Sequence, residues 1–129
     1  MLIKGHFDVK RHPEALSEVA APAGLGRFSL DKQFHGALDA HSCGEMLSYG
    51  SPTAGSAAYV AIERVEGSLD GRKGSFALQH SATMTRGEGK LEIKVVPDSG
   101  TGELVGLSGS MAIVIAEGQH RYAFDFSFA

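Results

Sequence analysis

Residues 59–83 restrict the possible folds more than any other stretch. Two β-type runs, Tyr59–Leu69 and Arg72–Thr83, flank the dipeptide Asp70-Gly71. Both central residues of a type I′ turn need φ > 0, which Gly adopts freely and Asp better than most residues. With Asp70 and Gly71 as the loop, Leu69 faces Arg72 and pairing continues outward from there. Val65 then opposes Phe76, Glu63 opposes Leu78, Ala61 opposes His80 and Tyr59 opposes Ala82. One face of the hairpin carries Tyr59, Glu63, Val65, Phe76, Leu78 and His80. The other carries Val60, Ile62, Arg64, Ala77, Gln79 and Ser81. A three-residue loop around Asp70 would instead shift the pairing by one and bring Gln79 and Ser81 to the side of Glu63.

Further strands flank the hairpin on both sides. Leu2–Arg11 alternates Ile3, Phe7 and Val9 with Lys4, His6 and Asp8, and Pro13 is expected to end it. Residues 13–25 read as a connector whose composition suits a flap over a barrel mouth. Gly26–His35 alternates Phe28, Leu30 and Phe34 with Arg27, Ser29, Asp31 and Gln33, and Ala37–Tyr49 follows, with Gly44 marking a bulge or a close approach. Beyond the hairpin lie Lys90–Val96, Glu103–Glu117 and His120–Phe128. The seventh of these runs is apolar on both sides from Met111 to Ala116, which predicts cover on both faces, from a subunit neighbour on one of them. In the eighth, Tyr122, Phe124, Phe126 and Phe128 point one way.

Eight strands joined by short turns, with no helix long enough for a crossover, predict an all-β chain. A single closed antiparallel up-and-down β-barrel removes the exposed edges of an open sheet. About eight strands enclose room for packed side chains or one small ligand. A two-sheet sandwich is the competing arrangement. A length of 129 residues fits one domain, and 17 Gly suit turns better than helices. Cys43 stands alone, so no internal disulfide forms, and the N-terminus lacks the apolar region of a signal peptide; a cytoplasmic location is expected. No run of 18 apolar residues exists, as a membrane helix would need. The net charge of −3, with scattered basic residues and no Trp, argues against nucleic acid as a partner.

The run Ile62-Glu63-Arg64-Val65-Glu66-Gly67-Ser68-Leu69-Asp70-Gly71-Arg72-Lys73-Gly74-Ser75-Phe76-Ala77-Leu78-Gln79-His80 resembles the signature of a bacterial family known only as a domain of unknown function. Gly44-Glu45-Met46 upstream and Val96-Pro97-Asp98-Ser99-Gly100-Thr101-Gly102-Glu103-Leu104 downstream add to the resemblance, which spans nearly the whole chain. Members of that family resemble the allene oxide cyclase barrel, an eight-stranded closed meander. The resemblance implies architecture and no activity, because no site residue of that cyclase can be matched here position by position.

Glu63 and His80 form the sharpest candidate for chemistry. They are diagonal neighbours on one face, about 7–8 Å apart at Cα and within reach of each other. On a lumen-facing surface, burial raises the carboxyl pKa while the imidazole lowers it, and the pair would share a proton near neutrality. Proton abstraction, isomerisation or cyclisation needs no cofactor with such a pair, and none is expected. The bland alternative is a satisfied polar pair that fixes register. Tyr59 would orient a ligand oxygen, and Phe76, Leu78, Phe124 and Phe126 would form an apolar ligand wall. His41, Cys43 and Glu45 share a face of the third strand, but their spacing matches no metal motif and a metal centre there is a weak expectation. His6, His35, His12 and His120 read as solvated surface residues. Three functions remain open. The leading one is binding of a small hydrophobic molecule in the barrel. The others are cofactor-independent isomerase or cyclase activity through Glu63 and His80, and a filled barrel acting as a structural or assembly module. Val60, Ile62 and the seventh strand are expected to mediate a homo-oligomer.

Overall fold

The computed structural model describes residues 1–129. Its strands are β1 (Leu2–Glu14), β2 (Gly26–His35), β3 (Leu38–Gly50), β4 (Ala57–Leu69), β5 (Arg72–Thr85), β6 (Glu88–Val95), β7 (Leu107–Ala116) and β8 (Gln119–Phe128). Each strand pairs antiparallel with its neighbour in sequence, and β8 returns to β1, so the sheet closes into an up-and-down barrel. Closure leaves no sheet edge running the full height of the molecule. The sandwich alternative is thereby excluded.

The β4–β5 hairpin has the two-residue loop. Asp70 and Gly71 take φ of 50° and 83°, and Leu69 pairs with Arg72, Val65 with Phe76, Glu63 with Leu78 and Ala61 with His80. The face that carries Glu63 and His80 is turned inward. Pairing on either side of Gly44 is continuous, with Leu30 on one side and Glu63 on the other, so no bulge occurs. The glycine marks a close approach instead. A Cβ there would lie 2.7 Å from both Glu63 Cα and Glu63 Cβ.

One half of the barrel is solid. Phe34, Leu38, Val65, Leu69, Phe76, Leu78, Ile93 and Phe124 fill it and are almost wholly excluded from solvent. Its end is capped by the segment that follows β6. Thr101 donates its backbone N–H to Ser75 O at 2.8 Å, while Thr101 Oγ1 and Ser99 Oγ accept from the N–H groups of Ser75 and Ala77. This segment takes over the edge of β5 where β6 ends, and it carries Leu104 into the core. Two stretches that carry the family resemblance are thus bound to each other.

The other half is open. The pairing of β1 with β8 ends at Phe7 and His120, although β1 continues for seven more residues. Between β6 and β7 only Ile93 with Met111 and Lys94 with Ser110 are paired. The β7–β8 hairpin stays beside β1 up to His120 but leaves β6 beyond Met111, and β1–β6 extend past its tip as a trough. Pro13 does not end β1 as expected. It pairs with Phe28, and the other edge of β1 faces no strand there, so its missing N–H leaves no gap in a ladder on that side. Residues 15–25 do not cover the mouth either. They lie against the outer surface near Leu47, Val60 and Ile62, tied by a 2.6 Å hydrogen bond from the Arg27 guanidinium to Ala15 O. The two-sided cover expected for β7 is absent within one chain: Val114 and Ile115 are 59% and 67% exposed.

Candidate functional site

Where the solid half gives way to the open half, four polar side chains meet inside the barrel. Alternation along β4 turns Glu63 inward between Ala61 and Val65. The same alternation brings in His80 from β5, Lys32 from β2 between Leu30 and Phe34, and Ser42 from β3. All four are buried. Glu63 Oε2 accepts hydrogen bonds from Lys32 Nζ at 2.7 Å and from His80 Nε2 at 2.6 Å, and Oε1 accepts from Ser42 Oγ at 2.8 Å. Lys32 Nζ also lies 5.2 Å from the centre of the Phe7 ring, close enough for a cation–π attraction.

The ionisation of Glu63 follows from these contacts. Burial pushes its carboxyl up, but the His80 hydrogen bond and the Lys32 charge outweigh it and hold the group at about 2. Glu63 is thus a carboxylate at neutral pH, and the expectation of a proton shared with His80 is corrected. Lys32 contributes through both its charge and its hydrogen bond. A carboxylate only accepts, so the proton in the contact with His80 sits on Nε2. The other ring nitrogen, Nδ1, has no hydrogen-bond partner in the protein. Since no fully buried side-chain nitrogen or oxygen goes unpartnered, Nδ1 is accessible.

His80 lines a cavity of about 410 Å³ in the open half. Lys32 and His80 form its floor, and Phe7, Leu30, Met46, Tyr59 and Ile113 are among its walls. A second space of about 550 Å³ continues it towards the mouth, sharing Met46, Tyr59 and Leu91. The Tyr59 hydroxyl has its pKa raised, by burial first and then by the negative charge of Glu63. The largest cavity, about 840 Å³, lies beneath residues 15–25 against the outer face of the barrel, with Ala61 and His80 also in its lining. Its charged side chains, Arg27 and Glu45, are already paired at 2.7 Å.

The other candidates fall elsewhere. Phe76, Leu78, Phe124 and Phe126 are packing residues of the solid half, where Phe76 and Phe124 stack with ring centres 5.8 Å apart; none of the four lines these cavities. His41, Cys43 and Glu45 do share a face, but it is the outer one. His41 Nε2 contacts Asp31 at 2.6 Å, Glu45 faces Arg27, and Cys43 is exposed. His120 is half-buried rather than fully solvated: it lines the cavity with its ring 5.2 Å from that of Phe7. It shares the parity of Tyr122 and Phe124, which was a usable signal. Lys32 and Ser42 went unnoticed although Lys32 shares the parity of Leu30 and Phe34, and Ser42 that of Leu38 and Ala40.

The solved structure of a protein of unknown function from Shewanella oneidensis MR-1 has the same fold, with 52% identity and a TM-score of 0.93. The match covers 100% of this chain and 98% of that one. No curated protein matches the chain. The family model for the proteins of unknown function termed DUF3224 matches residues 3–126. That span takes in all or nearly all of each strand of the barrel and all four residues of the polar cluster, and the chain belongs to the DUF3224 family.

Proposed function

We propose that the protein binds a small, largely apolar molecule in the open half of the barrel, its polar end directed at Lys32 and His80. The observation that carries this reading is the unpartnered Nδ1 of a buried histidine that lines a largely apolar cavity together with Lys32. Burying an ionised carboxylate and an ammonium costs several kcal/mol per ion, and a barrel filled to both ends would not need them. Use of the interior for an apolar molecule is also what an allene oxide cyclase-like barrel would imply. The test is titration with the neutral fluorophore N-phenyl-1-naphthylamine. One probe per chain is expected to bind. Ile113→Trp, which fills the cavity from a half-exposed position, should abolish binding, and Leu47→Trp on the outer wall should leave it intact. Equal loss in both variants, or no binding to the unaltered protein, would contradict the proposal.

A second reading, acid–base catalysis on the bound molecule, is favoured by the same nitrogen. His80 would be the base, with Glu63 as the positioning residue behind it. A carboxylate held at about 2 is a poor proton acceptor at neutral pH. On this reading, the rate with any substrate found would show a pH limb that His80→Gln removes. A limb unchanged in that variant would exclude it.

A further inference from the structure

We infer that the open half takes an apolar carboxylic acid as its anion, together with one proton on His80 Nδ1, the carboxylate lying between Lys32 and His80. This rests on the ligand-binding reading above and names the class of ligand.

Lys32 and His80 both have unspent hydrogen-bonding capacity. Lys32 Nζ carries three N–H donors and gives one to Glu63. His80 gives Nε2–H to the same carboxylate oxygen, which leaves Nδ1 without a partner in the protein. Nζ and Nε2 converge on one oxygen of Glu63, and Nδ1 is set off from that contact by its separation from Nε2 across the imidazole ring. A head with two oxygens spans that separation better than a single hydroxyl can. One oxygen accepts from Lys32, and the other accepts from Nδ1 once that nitrogen is protonated.

Charge fixes the proton count. With His80 neutral, the Lys32 cation balances the Glu63 anion in the empty cavity. A second carboxylate alone would leave one negative charge unmatched in a largely apolar chamber, where uncompensated charge is costly. A proton on Nδ1 restores the balance and turns an acceptor into the donor that the ligand needs. The other groups facing His80 cannot take that role as directly. Tyr59 on β4 and His120 on β8 stand on the walls and Ser42 on β3 is spent on Glu63, while β1, β6 and β7 present Phe7, Val9, Leu91 and Ile113. These apolar walls select a ligand whose remainder is hydrocarbon.

Isothermal titration calorimetry with decanoic acid and with 1-decanol tests this on the unaltered protein. At pH 8, above the ordinary imidazole range, runs in two buffers of different ionisation enthalpy count the protons exchanged. Decanoate is expected to bind at least about tenfold tighter than decanol, with uptake of about one proton per chain. Lys32→Met and His80→Gln should each erase the preference for the acid. Equal affinities, or tighter decanoate binding without proton uptake, would overturn the inference while leaving the cavity reading in place. Failure of both probes to bind, with no binding of N-phenyl-1-naphthylamine, would overturn both. The acid-to-alcohol ratio and the proton count need no variant, so a poorly folded one leaves the test intact.

Discussion

Glu63 holds the centre of the barrel together by accepting from three strands at once: Lys32 on β2, Ser42 on β3 and His80 on β5. Replacing it by Gln leaves the Lys32 ammonium buried without its counter-charge, a change that typically costs about 3–5 kcal/mol. The acid dependence is separable from this. The difference between the usual 4.5 and about 2 for Glu63 corresponds to about 3 kcal/mol of stability. Because the folded value is the lower one, that contribution is whole above about pH 4.5 and is lost as the pH falls towards 2. Urea unfolding at pH 6 and pH 3 should therefore show the gap between the unaltered protein and Glu63→Gln shrinking by about 2 kcal/mol. A gap of the same size at both pH values would contradict the ionised state. The Glu63–His80 pair was legible because a strong turn signal sets the register between them. Lys32 was not, because a lysine in an alternating strand reads as polar and outward, and only its parity with Leu30 and Phe34 places it inside.

At the scale of the strands, the β4–β5 hairpin was readable because its turn chemistry is local, whereas the reach of β1 past Pro13 depends on where β8 begins. Residues 15–25 were misplaced for a similar reason: composition says nothing about which surface a connector meets. Gly44 shows how one small residue serves the site. Its bare Cα lets β3 lie close to β4 at Glu63, and an added Cβ would collide with Ile62 O and the Glu63 backbone. Gly44→Ala is expected to cost about 1–3 kcal/mol, measured as a lowered thermal midpoint, and to weaken N-phenyl-1-naphthylamine binding by displacing Glu63. A variant as stable as the unaltered protein would show that the strands accommodate the methyl group freely. The short β6–β7 pairing has a sequence correlate only after the fact. Strand propensity in Lys90–Val95 and Met111–Ala116 is high, yet the β7–β8 hairpin follows β1 at one edge and leaves β6 at the other.

Across the whole molecule, alternation identified which side chains point inward but not at what height along the axis. That is why Phe76, Leu78, Phe124 and Phe126 were assigned to a ligand wall. Inward parity is common to the packed half and the hollow half, and only the rings that meet across the barrel decide which half a residue occupies. The outer face raises a separate question. Val60, Ile62 and Val114 remain 54%, 60% and 59% exposed, and we propose that such surface supports self-association. Light scattering is expected to give a mass above the 13.6 kDa of one chain, reduced in Val60→Lys/Ile62→Lys; a monomer at all concentrations would refute it. The central claim, that the barrel is solid at one end and a ligand chamber at the other, is tested most directly by a crystal structure of the protein with N-phenyl-1-naphthylamine. The account predicts density for the probe inside the barrel, above Lys32 and His80 and against Leu30, Met46 and Ile113. Density confined to the outer cavity beneath residues 15–25, or side chains filling the inner chamber, would contradict it.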